Sequence, residues 1–160
     1  MKTLTVPPVV HDFFSYDRET GHLTHKRPGL PRDRQAGYIA NTGYRMVRVN
    51  GVRFSAHRVI WFMVTGEQAP GEIDHVNLDK TDNRLCNLRL ANRAQNSWNR
   101  RAFSAFGKGA CWDRNKRKFV SRIVANGERI HLGTYATAEE ARAAYKAAAI
   151  KYHGEFARIE

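Results

Sequence analysis

Cysteine is scarce in this 160-residue sequence, which contains only Cys86 and Cys111. Because the two lie far apart, they indicate neither a disulfide framework nor a zinc knuckle, and we expect a reducing compartment. Long apolar runs are also missing, since the longest, Val59 to Val64, is far shorter than a membrane span. Residues 1–10 contain two prolines and too short an apolar run for a secretory signal. We therefore expect a soluble, cytoplasmic protein with no membrane partner.

Acidic residues are few relative to basic ones. The sequence has 15 Asp and Glu against 27 Lys and Arg, which gives a net charge of +12 and a pI of about 10.2. This balance predicts attraction to a polyanion, with nucleic acid the first candidate and an acidic membrane surface the second. The length allows one ordinary domain or two small ones, and a hydrophobic fraction of 42% is enough to build their cores.

An acidic residue and a histidine stand side by side in the strand-like segment Ile73-Asp74-His75. A carboxylate can hold a hard divalent cation, and an imidazole can take a proton from water near neutral pH. Together these groups suit metal-assisted cleavage of a phosphodiester bond. The pair therefore predicts a nuclease.

A second metal ligand is predicted further along the chain. After the Asp-His pair come a polar loop and a short segment of alternating polar and apolar residues, which together span residues 77–90. Asn92 and Gln95 then form a capping pair that predicts the start of a helix. Asn96 then lies in or near the first turn of that helix, and the intervening fold could return it to Asp74. One carboxylate oxygen and one amide oxygen would leave the remaining positions of a cation to water and phosphate, as Mg²⁺ prefers.

Short antiparallel strands are predicted upstream of this pair. Phe13–Tyr16 and Leu23–His25 flank a turn-like segment. Tyr44–Val49 and Val52–Phe54 flank Asn50-Gly51, a strong hairpin signal. The N-terminal part should therefore begin with two hairpins.

Arginines on the second predicted hairpin allow two interpretations. Arg45, Arg48 and Arg53 could line a surface that faces DNA, or they could be solvated side chains of exposed strands, and we weigh the two evenly. Between the hairpins, Lys26–Gln35 is rich in proline, glycine and basic residues and is predicted to be a loop.

A helix is predicted over residues 56–64, with Ser55 as its cap and Gly66 at its end. It is apolar nearly all round, so we expect it to be buried as the core of this domain. His57 could contact phosphate or metal, or it could be a hydrogen-bonded histidine that fixes the start of the helix. We favour the structural interpretation, because buried histidines usually satisfy their hydrogen bonds within the fold.

Together these segments resemble the HNH endonucleases of the ββα-metal type, above all the phage-borne and intron-borne branch that includes homing endonucleases. The resemblance implies that His75 is the general base, that Asp74 and Asn96 hold the metal, and that Asn87 is the middle asparagine that shapes the finger. Asn at the last metal position favours Mg²⁺ or Mn²⁺ over a zinc-binding site. If the protein is phage-encoded, its compartment is the cytoplasm of the host cell. The matching motifs are Ser55-Ala56-His57-Arg58, Glu72-Ile73-Asp74-His75, Asp82-Asn83-Arg84-Leu85-Cys86-Asn87-Leu88-Arg89 and Ala94-Gln95-Asn96.

A second domain is predicted over residues 107–160, after a first domain of residues 1–100 and a basic linker of residues 101–106. Between Lys108 and His131 there are seven Lys and Arg against two acidic residues, whereas residues 137–160 carry four of each sign. The positive charge is thus concentrated on the predicted strands, which is more than solubility requires.

The second domain also carries clear signals for its elements. Phe119–Val124 and Arg129–Leu132 flank Asn126-Gly127 and predict a hairpin. The capping box Thr137–Glu140 opens a helix that runs to Gly154, and its small alanines would let it lie close against a three-stranded sheet.

This second domain resembles the apetala-two / ethylene-response-factor DNA-binding domain in the form attached to phage HNH enzymes. The resemblance implies that the sheet enters the major groove of double-stranded DNA and that Arg114, Arg122, Arg129 and His131 face it. Cys111, Val124 and His131 depart from the plant pattern, so the plant base specificity is not carried over. The matching residues are Gly109, Trp112-Asp113, Lys118-Phe119, Asn126-Gly127, Arg129-Ile130-His131-Leu132-Gly133-Thr134-Tyr135, Glu139-Glu140-Ala141, Ala144-Tyr145 and Gly154-Glu155-Phe156-Ala157.

Three further residues of the sheet have alternative interpretations. Arg117 and Lys118 belong to a turn and could simply be solvated, but the local charge favours contact with phosphate. Trp112 is as well explained by packing on the sheet as by stacking on DNA.

The predicted fold class is α+β, with a ββα-metal finger preceded by short antiparallel hairpins and a three-stranded antiparallel sheet packed on one helix. The predicted function is metal-dependent DNA cleavage, with no obligatory protein partner. The alternatives are a regulatory or architectural DNA-binding protein that does not cleave and, less favoured, an RNA-binding module.

Overall fold

The computed structural model describes residues 4–26, 29, 34–100 and 104–159, and it divides into two compact units. The first unit ends at Asn92 and the second begins at Arg93. Helices are mixed with several small antiparallel sheets, in agreement with the predicted α+β class. Most of the loop predicted over Lys26–Gln35 and half of the predicted linker, residues 101–103, lie outside the described residues. No helix in the described ranges is both long and apolar enough to cross a bilayer.

Both predicted hairpins are present in the first unit. Strands β1 (Phe14–Tyr16) and β2 (Leu23–His25) pair with each other. Strand β3 (Tyr38–Ile39), which the sequence did not predict, joins β4 (Arg45–Val49) and β5 (Val52–Ser55) in a three-stranded sheet. Phe13 was assigned to a strand, but it ends the short helix α1 (Val10–Phe13).

Helix α2 (Ala56–Thr65) ends as predicted at Gly66, which adopts a left-handed conformation and donates its N–H to Phe62. Two expectations about this helix were wrong. The Ser55 side chain makes no capping bond and instead donates to the sulfur of Met46 across the sheet. Only Ala56, His57, Val59 and Ile60 are buried, because the helix packs on the sheet along one side, and residues 61–64 are partly exposed.

Strands β6 (Glu72–His75) and β7 (Leu88–Ala91) form the ribbon that carries the predicted nuclease residues. Ile73 and Leu88 extend into the same hydrophobic core as α2 and the hairpins, and this burial anchors the ribbon. Asn87 was predicted to begin the second strand, but it lies in a 3-10 turn, because its side chain bonds to the preceding loop.

The second unit begins with helix α3 (Arg93–Trp98), one residue after the predicted cap at Asn92. Strands β8 (Cys111–Asp113), β9 (Lys118–Ala125) and β10 (Glu128–Tyr135) form an antiparallel sheet in which β9 is central. Helix α4 (Ala138–His153) packs on β9 and β10. The predicted sheet of three strands on one helix is therefore present.

The capping box predicted for α4 is complete. The Thr137 hydroxyl accepts the N–H of Glu140, and the Glu140 carboxylate accepts the N–H of Thr137. Tyr145 packs on Gly109, where a β-carbon would lie 2.1 Å from that of Tyr145, so only glycine fits. At the end of α4, His153 turns inward and its Nε2 donates to the Val124 carbonyl at 2.9 Å.

Candidate nuclease site

Asp74 and His75 are neighbours on β6, and both are almost completely buried, with exposures of 4% and 3%. Pleating sends adjacent side chains of a strand to opposite faces, and their contacts follow this rule. Asp74 contacts Arg89 of β7, whereas His75 contacts Asn83, Tyr44 and His57. Asp74 and His75 therefore lie on opposite faces of the ribbon and have different partners.

Arg89 lies directly across from Asp74 in the β6–β7 register. Its Nε and Nη2 atoms donate to Asp74 Oδ2 at 2.9 and 2.8 Å, which forms a largely buried ion pair. An oxygen donor of this kind fits a hard cation such as Mg²⁺ or Mn²⁺.

His75 makes a buried hydrogen bond with a residue to which the sequence assigned no role. Asn83 is 1% exposed, and its Oδ1 lies 3.1 Å from Nε2 of His75. Asn83 was visible only as part of a longer motif, and nothing in its spacing shows that it meets the imidazole. No local sequence signal identifies it, because its burial, which requires a hydrogen-bond partner within the fold, is visible only in the structure.

Asn87 holds the loop between the two strands. Its Oδ1 accepts the N–H of Asn77 at 3.0 Å, and its Nδ2 donates to the carbonyl of Asp82 at 2.8 Å. The side chain therefore joins the two ends of the loop. The finger-shaping role implied for Asn87 needs contacts of this kind, and that role stays a prediction.

Tyr44 and His57 form an aromatic cluster with His75. The ring of His57 lies 5.3 Å from that of His75 in an edge-to-face arrangement, and Tyr44 lies 5.1 Å from His57 and 5.8 Å from His75. Nδ1 of His57 is buried and has no hydrogen-bond partner. Burial lowers the pKa of His57 to about 3, and the nearby His75 and Arg58 add to the shift. His57 is therefore neutral at physiological pH.

His57 should make the protein sensitive to mild acid. The unfolded chain takes up a proton near pH 6.5 and the folded chain only near pH 3, so stability falls as the pH drops between these values. Between pH 7 and 5 the loss attributable to His57 is about 2 kcal/mol. Urea unfolding at pH 7 and pH 5 should show this extra loss in the native chain and in His22→Ala, a control at an exposed histidine. An equal loss in His57→Gln would contradict the prediction.

The other predicted metal ligand, Asn96, lies on α3 and so belongs to the second unit. It is the fourth residue of that helix, close to its first turn as expected. Its role as a metal ligand, and the ββα-metal arrangement as a whole, stay predictions. In the described part of the chain no cluster of three or more His, Cys, Asp or Glu side chains could hold a metal ion, so a cation here would depend on amide, water or phosphate oxygens as well.

The arginines of the second hairpin separate into two groups. Arg45 donates from Nη1 to the carbonyls of Ala36 and Gly37, both at 3.3 Å, and so has a structural role. Arg48 and Arg53 are exposed and lie directly opposite each other on β4 and β5. Facing like charges are unfavourable in a sheet, so a nearby anion would stabilise this pair.

In the second unit, three predicted DNA contacts share the exposed face of the sheet. His131 lies opposite Arg122, and Arg129 lies opposite Val124, and all four residues are exposed. The intervening Ile123 is buried on the α4 side. The structure therefore brings Arg122, Arg129 and His131 together on the outward face.

The remaining predicted contacts lie at the β8–β9 turn. Arg114, Arg117 and Lys118 are exposed there, and the Asp113 carboxylate shapes the turn by accepting two backbone N–H groups at 3.0 Å. Trp112 packs edge-to-face on Phe119 at 4.8 Å and is still 40% exposed. Packing therefore accounts for its position, and stacking on DNA stays untested.

Comparison with known proteins gives two findings. Residues 54–98 match a family described as HNH endonuclease. An uncharacterised HNH endonuclease of Acanthamoeba polyphaga mimivirus is 30% identical over 122 residues, which cover 75% of this chain and 64% of that protein. The chain thus spans a little under two thirds of the length of its viral relative. No solved structure matches the chain significantly.

The matched segment contains Asp74, His75, Asn83, Asn87 and Asn96. The match therefore covers all the residues predicted for the nuclease site. It does not reach residues 107–158, whose resemblance to the apetala-two / ethylene-response-factor domain stays a prediction.

Proposed function

We propose that this protein is a metal-dependent DNA endonuclease of the HNH type, which hydrolyses phosphodiester bonds and is directed to double-stranded DNA by its C-terminal sheet. The observation that carries the proposal is the buried Asp74-His75 pair, held by Arg89 and Asn83, within a segment that matches the HNH family. A burial this complete is costly for polar groups and is compensated here by specific partners. Use as a phage-borne homing endonuclease is part of the same proposal.

In the proposed reaction, His75 takes a proton from a water molecule as that water attacks phosphorus in line with the departing 3′ oxygen. Asp74 and Asn96 would hold Mg²⁺ or Mn²⁺. The cation supplies charge stabilisation at the phosphate and at the leaving oxygen when it is bound. Arg89 fixes the Asp74 carboxylate, and Asn87 fixes the loop that follows His75.

DNA docking is assigned to the exposed face of the second unit. Arg122, Arg129 and His131 lie together on that face, and Arg114, Arg117 and Lys118 lie at the neighbouring turn. Lysine and arginine contacts of this kind go mainly to phosphate and position a protein on a duplex.

The test is cleavage of supercoiled plasmid with Mg²⁺, with Mn²⁺ and with a chelator. We expect nicked or linear product only when a divalent cation is present, because water activation and leaving-group departure both depend on charge stabilisation. The ratio of nicked to linear product would report the strand outcome. Equal cleavage in the presence of excess chelator would contradict metal dependence.

A DNA-binding protein that does not cleave is the second candidate, favoured by the exposed basic face of the C-terminal sheet. It predicts no product from plasmid or from the source genome, together with binding that weakens steeply with salt. Contact with about six phosphates would make the logarithm of affinity fall by roughly five for a tenfold rise in salt. Lys146 is an exposed basic residue of α4, outside the basic face of the sheet, so Lys146→Ala should keep the same dependence of affinity on salt.

A further inference from the structure

We propose that Asn83 is a positioning residue, which holds His75 in the tautomer that carries its proton on Nε2 and so leaves Nδ1 to take the proton from water. This proposal deepens the nuclease function stated above and rests on it for the catalytic step. The tautomer itself can be measured without any cleavage.

The orientation of the Asn83 amide decides which atom donates. Its Nδ2 donates to the carbonyl of Thr81 at 3.3 Å, which leaves Oδ1 facing Nε2 of His75 at 3.1 Å. An amide oxygen can only accept a hydrogen bond, so Nε2 must carry the hydrogen. In a neutral imidazole the other nitrogen then holds the lone pair, and here that nitrogen is Nδ1.

Because both side chains are buried, this hydrogen bond determines which ring nitrogen of His75 carries the proton. Both side chains are within 3% of full burial, so the hydrogen bond between Nε2 and Oδ1 is shielded from solvent. A protonated Nε2 without an acceptor would be a buried unsatisfied donor, which is unfavourable. Removal of Asn83 therefore takes away an acceptor that favours the proton on Nε2, and a proton on Nδ1 would remove the base at that atom.

Asn83 is itself held by the first hairpin, far away in the sequence. The Tyr16 hydroxyl donates to the Asn83 carbonyl at 3.3 Å and accepts the N–H of Leu85 at 3.0 Å. Gly21, in the turn of the same hairpin, lies so close that a β-carbon would be 2.4 Å from the backbone nitrogen of Arg84. The hairpin therefore fixes the loop backbone from Asn83 to Leu85, which supports the position of the Asn83 side chain.

The direct experiment is NMR of the metal-free full chain with ¹⁵N-labelled histidine, at a pH where the His75 ring is neutral. Long-range proton–nitrogen correlations distinguish the two ring nitrogens, and the spectrum of His75→Gln identifies the signals of His75. We expect the native chain to show a protonated Nε2 and an unprotonated Nδ1. A native His75 protonated on Nδ1 would overturn the proposal, whatever the cleavage activity.

Three variants test whether the tautomer of His75 affects the rate of DNA cleavage. Asn83→Leu removes the acceptor at similar volume, and we expect Nδ1 protonation to appear and cleavage to slow by about 10- to 100-fold. Asn83→Asp keeps an acceptor oxygen, so we expect the native tautomer and faster cleavage than in Asn83→Leu. Asn77→Ala removes side-chain bonds to Asp79 and Asp82 in the same loop but leaves the Asn83 amide in place, so it should keep the native tautomer.

The possible outcomes distinguish a failure of the role proposed for Asn83 from a failure of the proposed nuclease function. An unchanged tautomer and unchanged cleavage in Asn83→Leu would overturn the positioning role. The expected tautomers in a protein that cleaves no DNA would support the Asn83–His75 interaction and count against the nuclease function. If Asn83→Leu does not fold, the native spectrum and Asn83→Asp still decide the proposal.

Discussion

Replacing His75 with Gln is expected to reduce DNA cleavage by about 10²- to 10⁴-fold, the usual contribution of a positioned general base. Gln keeps an N–H donor that can reach the Asn83 oxygen, so it removes the base with less disturbance than Ala. The measurement is the rate of nicking of supercoiled plasmid under single-turnover conditions with saturating Mg²⁺. His75→Ala should be at least as impaired, because it also leaves the buried Asn83 oxygen without this partner.

Two controls make the result specific. His22→Ala replaces an exposed histidine of the same unit and should cleave at the native rate. Binding of a fluorescent duplex should be unchanged in His75→Gln, because docking is assigned to the C-terminal sheet. Native cleavage by His75→Gln would show that another group activates the water, and weakened binding would show that His75 acts in docking instead.

Replacing Arg89 with Ala is expected to lower the free energy of unfolding by about 3–5 kcal/mol, as removal of one partner of a buried ion pair usually does. Arg89 gives two hydrogen bonds to Asp74, and both side chains are largely shielded from water. The carboxylate would lose its compensating charge at the centre of the site. Urea unfolding, monitored by tryptophan fluorescence, measures the change.

The same variant also tests the metal site by a route that does not need cleavage. A cation bound near Asp74 would replace part of the lost positive charge, so Mg²⁺ should raise the melting temperature of Arg89→Ala more than that of the native chain. Arg53→Ala, at an exposed position of the same unit, is the matched control and should change stability by less than about 0.5 kcal/mol. In the double variant Asp74→Leu/Arg89→Leu most of the stability should return, because no buried charge is left unpaired. A stable Arg89→Ala would show that the ion pair is dispensable.

Much of the local structure was predictable from short sequence signals. The Asn50-Gly51 and Asn126-Gly127 turns, the Gly66 end of α2 and the Thr137–Glu140 capping box all lie where the sequence places them. Each of these signals depends on residues within a few positions of one another, because turn geometry and capping bonds are local. The adjacency of Asp74 and His75 is likewise a property of the chain itself.

The sequence did not predict features that lack a strong local signal. Strand β3 has only two residues and exists because β4 offers it a free edge. The side chain of Ser55 has a suitable cap position but bonds to Met46 on the paired strand instead. In both cases a neighbour that is distant in sequence outweighs the local preference, which is how tertiary packing usually overrides propensity.

The sequence by itself determined the α+β class, the positive charge, the Asn-Gly turns, the Thr137–Glu140 capping box, and the presence of Asp74 and His75 on one strand. Only the tertiary structure decided which side chains hold them. Arg89 faces Asp74 through the register of β6 and β7, and a shift of one residue would turn it to the other face. Asn83 reaches His75 because the first hairpin fixes the loop through Tyr16, 67 positions away from Asn83 in the chain. Turn and cap geometry depends on residues that are close in sequence. The partner of a buried polar group depends instead on which distant segments pack together.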